Sequence, residues 1–235
     1  MELRARLDRV KEELARAALA CGRDPSEITL VAATKTQSGD TIRRAIAAGV
    51  TVCGENRVQE LTAHLEEHAY DGAEVHFIGH LQTNKVKYVV GKVALIHSVS
   101  SEKLLLAIEK QAEKLGIVQD ILLEVNLAGE ESKGGFSPEE TPAAARLAVG
   151  LGHVRLRGLM CIPPIAYQPG KNLPYFEKLA RLAVDIRREI GDNIADIVYL
   201  SMGMSGDYQD AVSAGATHVR VGTALFGPRP PMSRA

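Results

Sequence analysis

The sequence has 235 residues, with 28 Lys and Arg against 29 Asp and Glu, so its formal net charge at pH 7 is −1. That balance excludes a broad electrostatic attraction to nucleic acid or to an anionic membrane. Cys21, Cys53 and Cys161 stand far apart, with no metal-binding spacing, so we expect free thiols and no metal site. A charged opening and the lack of about 18 consecutive apolar residues predict a cytoplasmic protein without a membrane span.

The first predicted element is an amphipathic helix over residues 2–20. After it the chain repeats one unit: a short β-branched run, a turn with Gly, Ser or Asn, and a segment of helical period. Eight runs are predicted to be strands: 28–35, 50–55, 74–79, 93–100, 120–128, 154–162, 196–203 and 217–227.

Three of the helical segments carry end signals. The segment before Gly49 ends as a helix with a C-terminal glycine does, and another begins at a Ser cap and stops at Gly116. In "SPEETPAAARLAVGLG", Ser137, Pro138 at the first helical position and Glu140 form the signature of a capping box.

Alternation of strand and helix predicts parallel strands with right-handed crossovers, and eight units predict an α/β fold, a single (β/α)8 TIM barrel with an extra N-terminal helix. The alternative is an open doubly wound sheet in which one or two runs are buried helix. No linker divides the chain, so residues 1–235 are predicted to form one domain. The irregular segment Pro163–Pro174 is a candidate lid or rim loop.

Strand alternation indicates which side chains enter the barrel. In "LVAATKT", residues 30–36, Lys35 lies on the same side as Val31 and Ala33, and in the last strand Arg220 lies opposite the two valines that flank it. If the valines face the helices, Lys35 and Arg220 both point inward near one mouth. Two such cations are costly unless an anion or a hydrogen-bond acceptor is present.

Such an anion is suggested by the loops that follow the last two predicted strands, where TIM barrels commonly bind phosphate. Gly222 allows close approach of the backbone, and Thr223 and Ser205 offer hydroxyl groups. Each signal is weak alone: Lys35 could be a solvated rim charge, Arg220 could pair with Glu124 or Glu55, and the other residues could be a turn and a helix cap. Their convergence on one face favours a functional site.

A phosphate site, an amine and an inward arginine together describe a bound aldehyde phosphate, and pyridoxal phosphate (PLP) is such a molecule. The amine would form an imine, and the arginine would face the ring nitrogen. Because an arginine there disfavours protonation of the nitrogen, the ring would be a weakened electron sink.

Several motifs together resemble the YggS family, also called pyridoxal phosphate homeostasis proteins. They are "VAATKTQ", "CGENRVQEL", "HFIGHLQTNK", "VNLAGEESKGG", "RGLMCI" and "LSMGMSGDYQDAVSAGATHVRVGTALFG", and the resemblance runs from residue 2 to about 229. It implies a fold-type III barrel similar to the N-terminal domain of alanine racemase.

The resemblance also implies roles for nine residues in PLP binding. Lys35 would carry the Schiff base and Arg220 would face the pyridine nitrogen, while Ser205, Gly222 and Thr223 would bind the phosphate. Asn56, His80, Met160 and Ser201 would lie near the cofactor.

Three functions are compatible with these residues. The first is a monomeric PLP carrier or regulator without efficient turnover, which could supply apo PLP-enzymes. The second is an amino-acid racemase, but racemisation is best served by an acid/base group on each face of the cofactor, and Lys35 supplies one. The third is a class I aldolase, in which Arg220 would have no evident task.

Overall fold

The protein is a closed barrel of eight parallel strands in a computed structural model that describes residues 2–130, 134–164, 168–191 and 197–228. The strands follow one another around the barrel in sequence order, and the last pairs with the first from Thr29↔His218 to Ala32↔Val221. The predicted TIM barrel is therefore confirmed, and the open sheet is excluded.

Strands and helices alternate along the chain. The strands β1 to β8 are Thr29–Ala33, Val52–Glu55, Glu74–Phe77, Leu95–Val99, Gln119–Glu124, Val154–Met160, Tyr199–Ser201 and His218–Val221. The helices α1 to α8 are Glu2–Ala20, Gly39–Ala47, Val58–Glu66, Glu102–Leu115, Thr141–Val149, Leu173–Ile190, Tyr208–Ser213 and Thr223–Phe226. Short 3₁₀ segments lie at Pro25–Glu27 and Thr83–Tyr88, and the second replaces a helix between β3 and β4.

All eight predicted strands are present, most of them shorter than predicted, and two other differences concern helices. The last run leaves the sheet after Val221 and continues as the short helix α8. Helix α5 begins at Thr141, although the backbone N–H groups of Ser137 and Glu140 do bond reciprocally to each other's side chains at 2.9 and 3.2 Å. A helix from residue 138 would carry Pro142 beyond its first turn, where proline breaks the hydrogen-bond ladder.

The predicted sides of β1 and β8 are confirmed by packing. Ala32, Val219 and Val221 belong to the main apolar core between strands and helices, whereas Val31 and Ala33 pack inside the barrel with Ile78. An inner layer of polar groups is buried there as well, including His97, Ser201 and Arg220. The barrel interior is thus partly polar, which bears on the site at its mouth.

Two further predictions concern loops and membranes. Residues 165–167 of the candidate lid loop lie outside the described residues, and its last two residues begin α6. Every helix in the described ranges is too short or too polar to cross a bilayer.

Candidate functional site

A cavity of about 340 Å³ opens at the carboxyl ends of β1, β7 and β8, and we call it the upper cavity. Its wall contains six of the nine predicted site residues: Lys35, Asn56, Ser205, Arg220, Gly222 and Thr223. Residues from sequence positions nearly 190 apart therefore meet because strands one and eight are neighbours.

Lys35 is half-buried in the wall and directly follows β1. Thr34, just before it, is anchored on the helix side of the strand, where its hydroxyl donates to the Glu55 carboxylate at 2.6 Å. Thr36, just after it, has a φ of +65° and its N–H donates to Glu60 Oε2 at 3.1 Å. Because Thr34 points outward and Thr36 adopts a left-handed conformation, the side chain of Lys35 lies on the cavity side.

Arg220 is only 5% exposed and lies in the wall of the upper cavity. Its Nη1 donates to Ser201 Oγ at 2.5 Å and its Nη2 donates to the Cys161 carbonyl at 2.9 Å. Burial lowers the pKa of the guanidinium, while Cys161 and Glu124 act in the opposite direction. Because both hydrogen-bond acceptors are neutral, neither of them forms an ion pair with this cation beside the cavity.

Neither carboxylate suggested as an ion-pair partner of Arg220 fills that role in the described part of the chain. Glu55 accepts hydrogen bonds from Thr34 and from Tyr70, the latter at 2.9 Å, on the outer side of the barrel. Glu124 influences Arg220 through space without an ion pair.

The loops after β7 and β8 are joined by Ser205. Its hydroxyl oxygen accepts from the N–H groups of Gly222 and Ala224, both at 3.2 Å, at the start of α8. The turn that delivers Ser205 depends on Gly203, whose φ is +88° and whose added Cβ would lie 2.5 Å from the Ala211 Cβ. Two backbone N–H groups and a hydroxyl therefore lie together at one end of the cavity, which are the kinds of group that bind anions.

Asn56 supplies an unsatisfied acceptor. It lines the upper cavity, and its buried Oδ1 has no hydrogen-bond partner among the described residues. The loop that follows β3 packs directly against the Asn56 backbone, since a Cβ added at Gly79 would lie 2.0 Å from the Asn56 carbonyl oxygen. A ligand with a donor group would satisfy this oxygen.

Comparison with known proteins identifies the family. The family described as "Alanine racemase, N-terminal domain" matches residues 6–230. A pyridoxal phosphate homeostasis protein of Aquifex aeolicus is 46% identical over 224 residues, covering 95% of this chain and 97% of that protein. The chain belongs to the pyridoxal phosphate homeostasis protein family.

Solved structures agree with this membership. PipY of Synechococcus elongatus, in its structure with PLP bound, is 33% identical with a TM-score of 0.79, over 93% of this chain and all of PipY (100%). An alanine racemase of Clostridium difficile, at 15% identity and a TM-score of 0.73, covers 98% of this chain and 58% of the racemase, and it shows a shared fold only.

Three residues that the homeostasis-protein family implied lie outside the wall of the upper cavity. Met160 is fully buried among Leu95 and Leu122 inside the barrel, and Ser201 lies beneath Arg220 as its acceptor. His80 is exposed and lines a neighbouring cavity of about 300 Å³. This second space shares Asn56 with the upper cavity, so the two adjoin.

Sequence reasoning missed two functional candidates in this homeostasis-family barrel, since it considered Glu124 only as an ion-pair partner of Arg220 and did not consider His97. Glu124 lines the neighbouring cavity, and burial raises the pKa of its carboxyl, against the influence of Arg220 and His80. His97 is fully buried in β4 and bonds to Ser201 at 2.8 Å. A histidine within the apolar run "VALIHSVS" was the available signal for the second.

Proposed function

We propose that this protein binds PLP as a Schiff base with Lys35 and holds it for intracellular PLP homeostasis, without efficient turnover of its own. The observation that carries the proposal is the convergence of Lys35, Arg220 and the Ser205–Gly222 contact on one cavity. Relatives named as pyridoxal phosphate homeostasis proteins and a PLP-bound PipY structure support it.

The residues fit the chemistry of this cofactor. PLP supplies an aldehyde that condenses with an amine, and Lys35 is the amine in the wall. The Ser205 and Thr223 hydroxyls would bind the phosphate beside the start of α8, where the Gly222 and Ala224 N–H groups donate to Ser205 Oγ, and Arg220 would face the ring nitrogen. The unsatisfied Asn56 oxygen is a further polar group available to the ligand.

The same wall supports a carrier over a racemase. Among the described residues that line the upper cavity, Lys35 is the one side chain that can act as a base near pH 7, because the others are apolar, hydroxyl, amide or guanidinium groups. A racemase needs a second acid/base group on the opposite face.

Absorption spectroscopy and mass spectrometry test the covalent attachment. Purified protein with added PLP should absorb as an imine, and borohydride reduction should fix the label on Lys35. Lys35→Ala should abolish both signals, whereas the exposed Lys87→Ala, outside the cavity, should change neither. Protein that forms no imine with PLP would overturn the proposal.

Incubation with L-alanine in heavy water separates carrier from racemase. We expect no α-deuterium and no D-isomer at a catalytic rate, because Lys35 is the one acid/base side chain among the described residues that line the upper cavity. Rapid, saturable exchange that disappears in Lys35→Ala would instead establish the racemase.

Delivery of PLP to apo PLP-enzymes is part of the same proposal. Holo-protein should activate an apo-enzyme faster than an equal concentration of free PLP if transfer is direct. A monomeric state, a cytoplasmic location and a single domain over residues 1–235 stay predictions.

A further inference from the structure

A chain of hydrogen bonds runs through the barrel interior and ends at Arg220. Arg220 Nη1 donates to Ser201 Oγ at 2.5 Å, Ser201 Oγ lies 2.8 Å from His97 Nδ1, and His97 Nε2 lies 3.0 Å from His76 Nδ1. The four residues come from β8, β7, β4 and β3. Four strands are therefore connected by side chains inside the barrel.

The donor–acceptor direction of this chain is fixed at the arginine. A guanidinium only donates, so Ser201 Oγ accepts from Arg220. Among the described residues the acceptor within reach of the Ser201 hydroxyl proton is His97 Nδ1. His97 then carries its proton on Nε2 and donates to His76 Nδ1, which leaves the His76 proton on Nε2, 3.6 Å from Glu74 Oε2. The opposite direction would leave a buried hydroxyl proton without an acceptor.

The surroundings keep both imidazoles uncharged. Burial lowers the pKa of His76 to about 3, with a further contribution from His218, and it lowers the pKa of His97 well below the usual value. Arg220 and His218 also face His97 and oppose its protonation. Glu74, at the other end of the chain, is exposed. A neutral imidazole has one donor and one acceptor, which is what the directed chain requires.

The chain connects the two ends of the barrel. Arg220 lines the upper cavity, whereas His76 and Glu74 line a cavity of about 830 Å³ at the amino ends of the strands. His218 lines this lower cavity too and packs against both other rings, but its Nδ1 bonds to Thr217. No group of three or more His, Cys, Asp and Glu side chains that could hold a metal ion occurs in the described part of the protein.

We propose that His97 and His76 are positioning residues, which orient Ser201 and thereby hold the Arg220 guanidinium at the cofactor cavity. The inference rests on the proposed function, because Arg220 is the group that would face the ring nitrogen of PLP. As long as the Ser201 hydroxyl donates its proton to His97, its oxygen accepts from Arg220 in a single orientation. Removing that acceptor frees the hydroxyl to rotate and leaves the arginine with the Cys161 carbonyl as its fixed partner.

A matched pair of substitutions tests the acceptor at position 97. His97→Asn and His97→Leu both replace the ring with a branched side chain of the same number of non-hydrogen atoms, but only asparagine keeps an oxygen that can accept from Ser201. We expect His97→Leu to weaken PLP binding about tenfold, the usual effect of losing a hydrogen bond that supports a charged group, and His97→Asn to lie within about threefold of wild type. Equal affinities and equal cofactor spectra for the two variants would overturn the proposal.

A double-mutant cycle distinguishes positioning from packing. If His97 acts through Ser201, His97→Leu should cause little further loss in a Ser201→Ala background, because the intermediate link is already missing. Additive losses would show that His97 acts by another route. His218→Phe is the control, since His218 occupies the same interior but lies outside the chain, and it should leave the cofactor spectrum unchanged.

Nitrogen NMR of the ligand-free protein tests the chain without PLP. With ¹⁵N-labelled histidine, His97 and His76 should both be neutral and protonated on Nε2 between pH 6 and 8. A proton on His97 Nδ1, or a charged ring, would overturn the direction of the chain. This result stands apart from PLP binding, so failure of the proposed function in the wild-type protein is distinguishable from failure of this inference.

Discussion

At the scale of the residue, Arg220 differs from a carboxylate at the same position because a guanidinium is a cation that only donates hydrogen bonds. Two of its N–H groups are used by Ser201 and Cys161, which hold it in the barrel wall. A cation beside a pyridine nitrogen disfavours protonation of that nitrogen. An unprotonated ring withdraws electrons less, which is consistent with a protein that holds PLP and does little chemistry with it.

Charge reversal at Arg220 tests this role. Arg220→Glu should shift the absorption of bound PLP to longer wavelength and raise α-proton exchange from L-alanine, because a carboxylate favours the protonated ring. Absorption spectra and exchange in heavy water measure both effects. Arg181→Glu, a charge reversal on the exposed face of α6, is the control and should change neither. An unchanged spectrum in folded, PLP-loaded Arg220→Glu would show that the arginine is purely structural.

At the scale of the element, the site depends on how the loop after β7 meets the start of α8. Ser205 bonds to the Gly222 and Ala224 N–H groups, so the two segments are fixed relative to each other before any ligand binds. At Gly222 the fold itself does not demand glycine, since φ is −113° and an added Cβ would meet the Ala33 Cβ at an ordinary 3.6 Å. A requirement for glycine there would come from the ligand.

Gly222→Ala separates ligand binding from folding. We expect the free energy of unfolding to change by less than about 1 kcal/mol, since no strained backbone or overlap is created, while the PLP dissociation constant rises about tenfold from crowding at the backbone donors. Chemical denaturation and PLP titration provide the two measurements. Gly150→Ala, at the end of α5 with φ −77°, is a matched control that should leave PLP affinity unchanged. Equal PLP affinity in Gly222→Ala and wild type would contradict a close approach of the ligand here.

The elements also show what a single sequence can predict. Strand count, barrel closure and the inward side of Lys35 and Arg220 follow from alternation, which is a local property. The depth of a side chain along the barrel axis cannot be predicted from alternation, because it depends on strand tilt and on bulges such as the register shift between β5 and β6. Ser201 and Met160 therefore lie below the cavity wall, and the partners of His97, on β3 and β7, could not be inferred.

At the scale of the whole molecule, three histidines buried in the barrel interior make the free energy of unfolding depend on pH. Burial lowers the pKa of His76 to about 3 and of His218 to about 4, and it lowers the pKa of His97 well below the ordinary value of about 6.5. Below that ordinary value the unfolded chain takes up protons that the folded barrel does not. The free energy of unfolding is therefore highest above pH 6.5 and falls as the pH decreases toward the folded-state pKa values.

Unfolding of the PLP-free protein in urea between pH 7 and 5 should show this dependence. Each of His76, His97 and His218 contributes a slope of up to about 1.4 kcal/mol per pH unit below its unfolded-state pKa, so the three contributions add. His218→Phe removes one of them while filling the space beside Tyr199, and it should reduce the slope due to the histidines by about a third. His68→Gln, at a side chain that is 80% exposed, should leave the slope unchanged. A wild-type slope in His218→Phe would mean that this ring is protonated inside the folded barrel at pH 5.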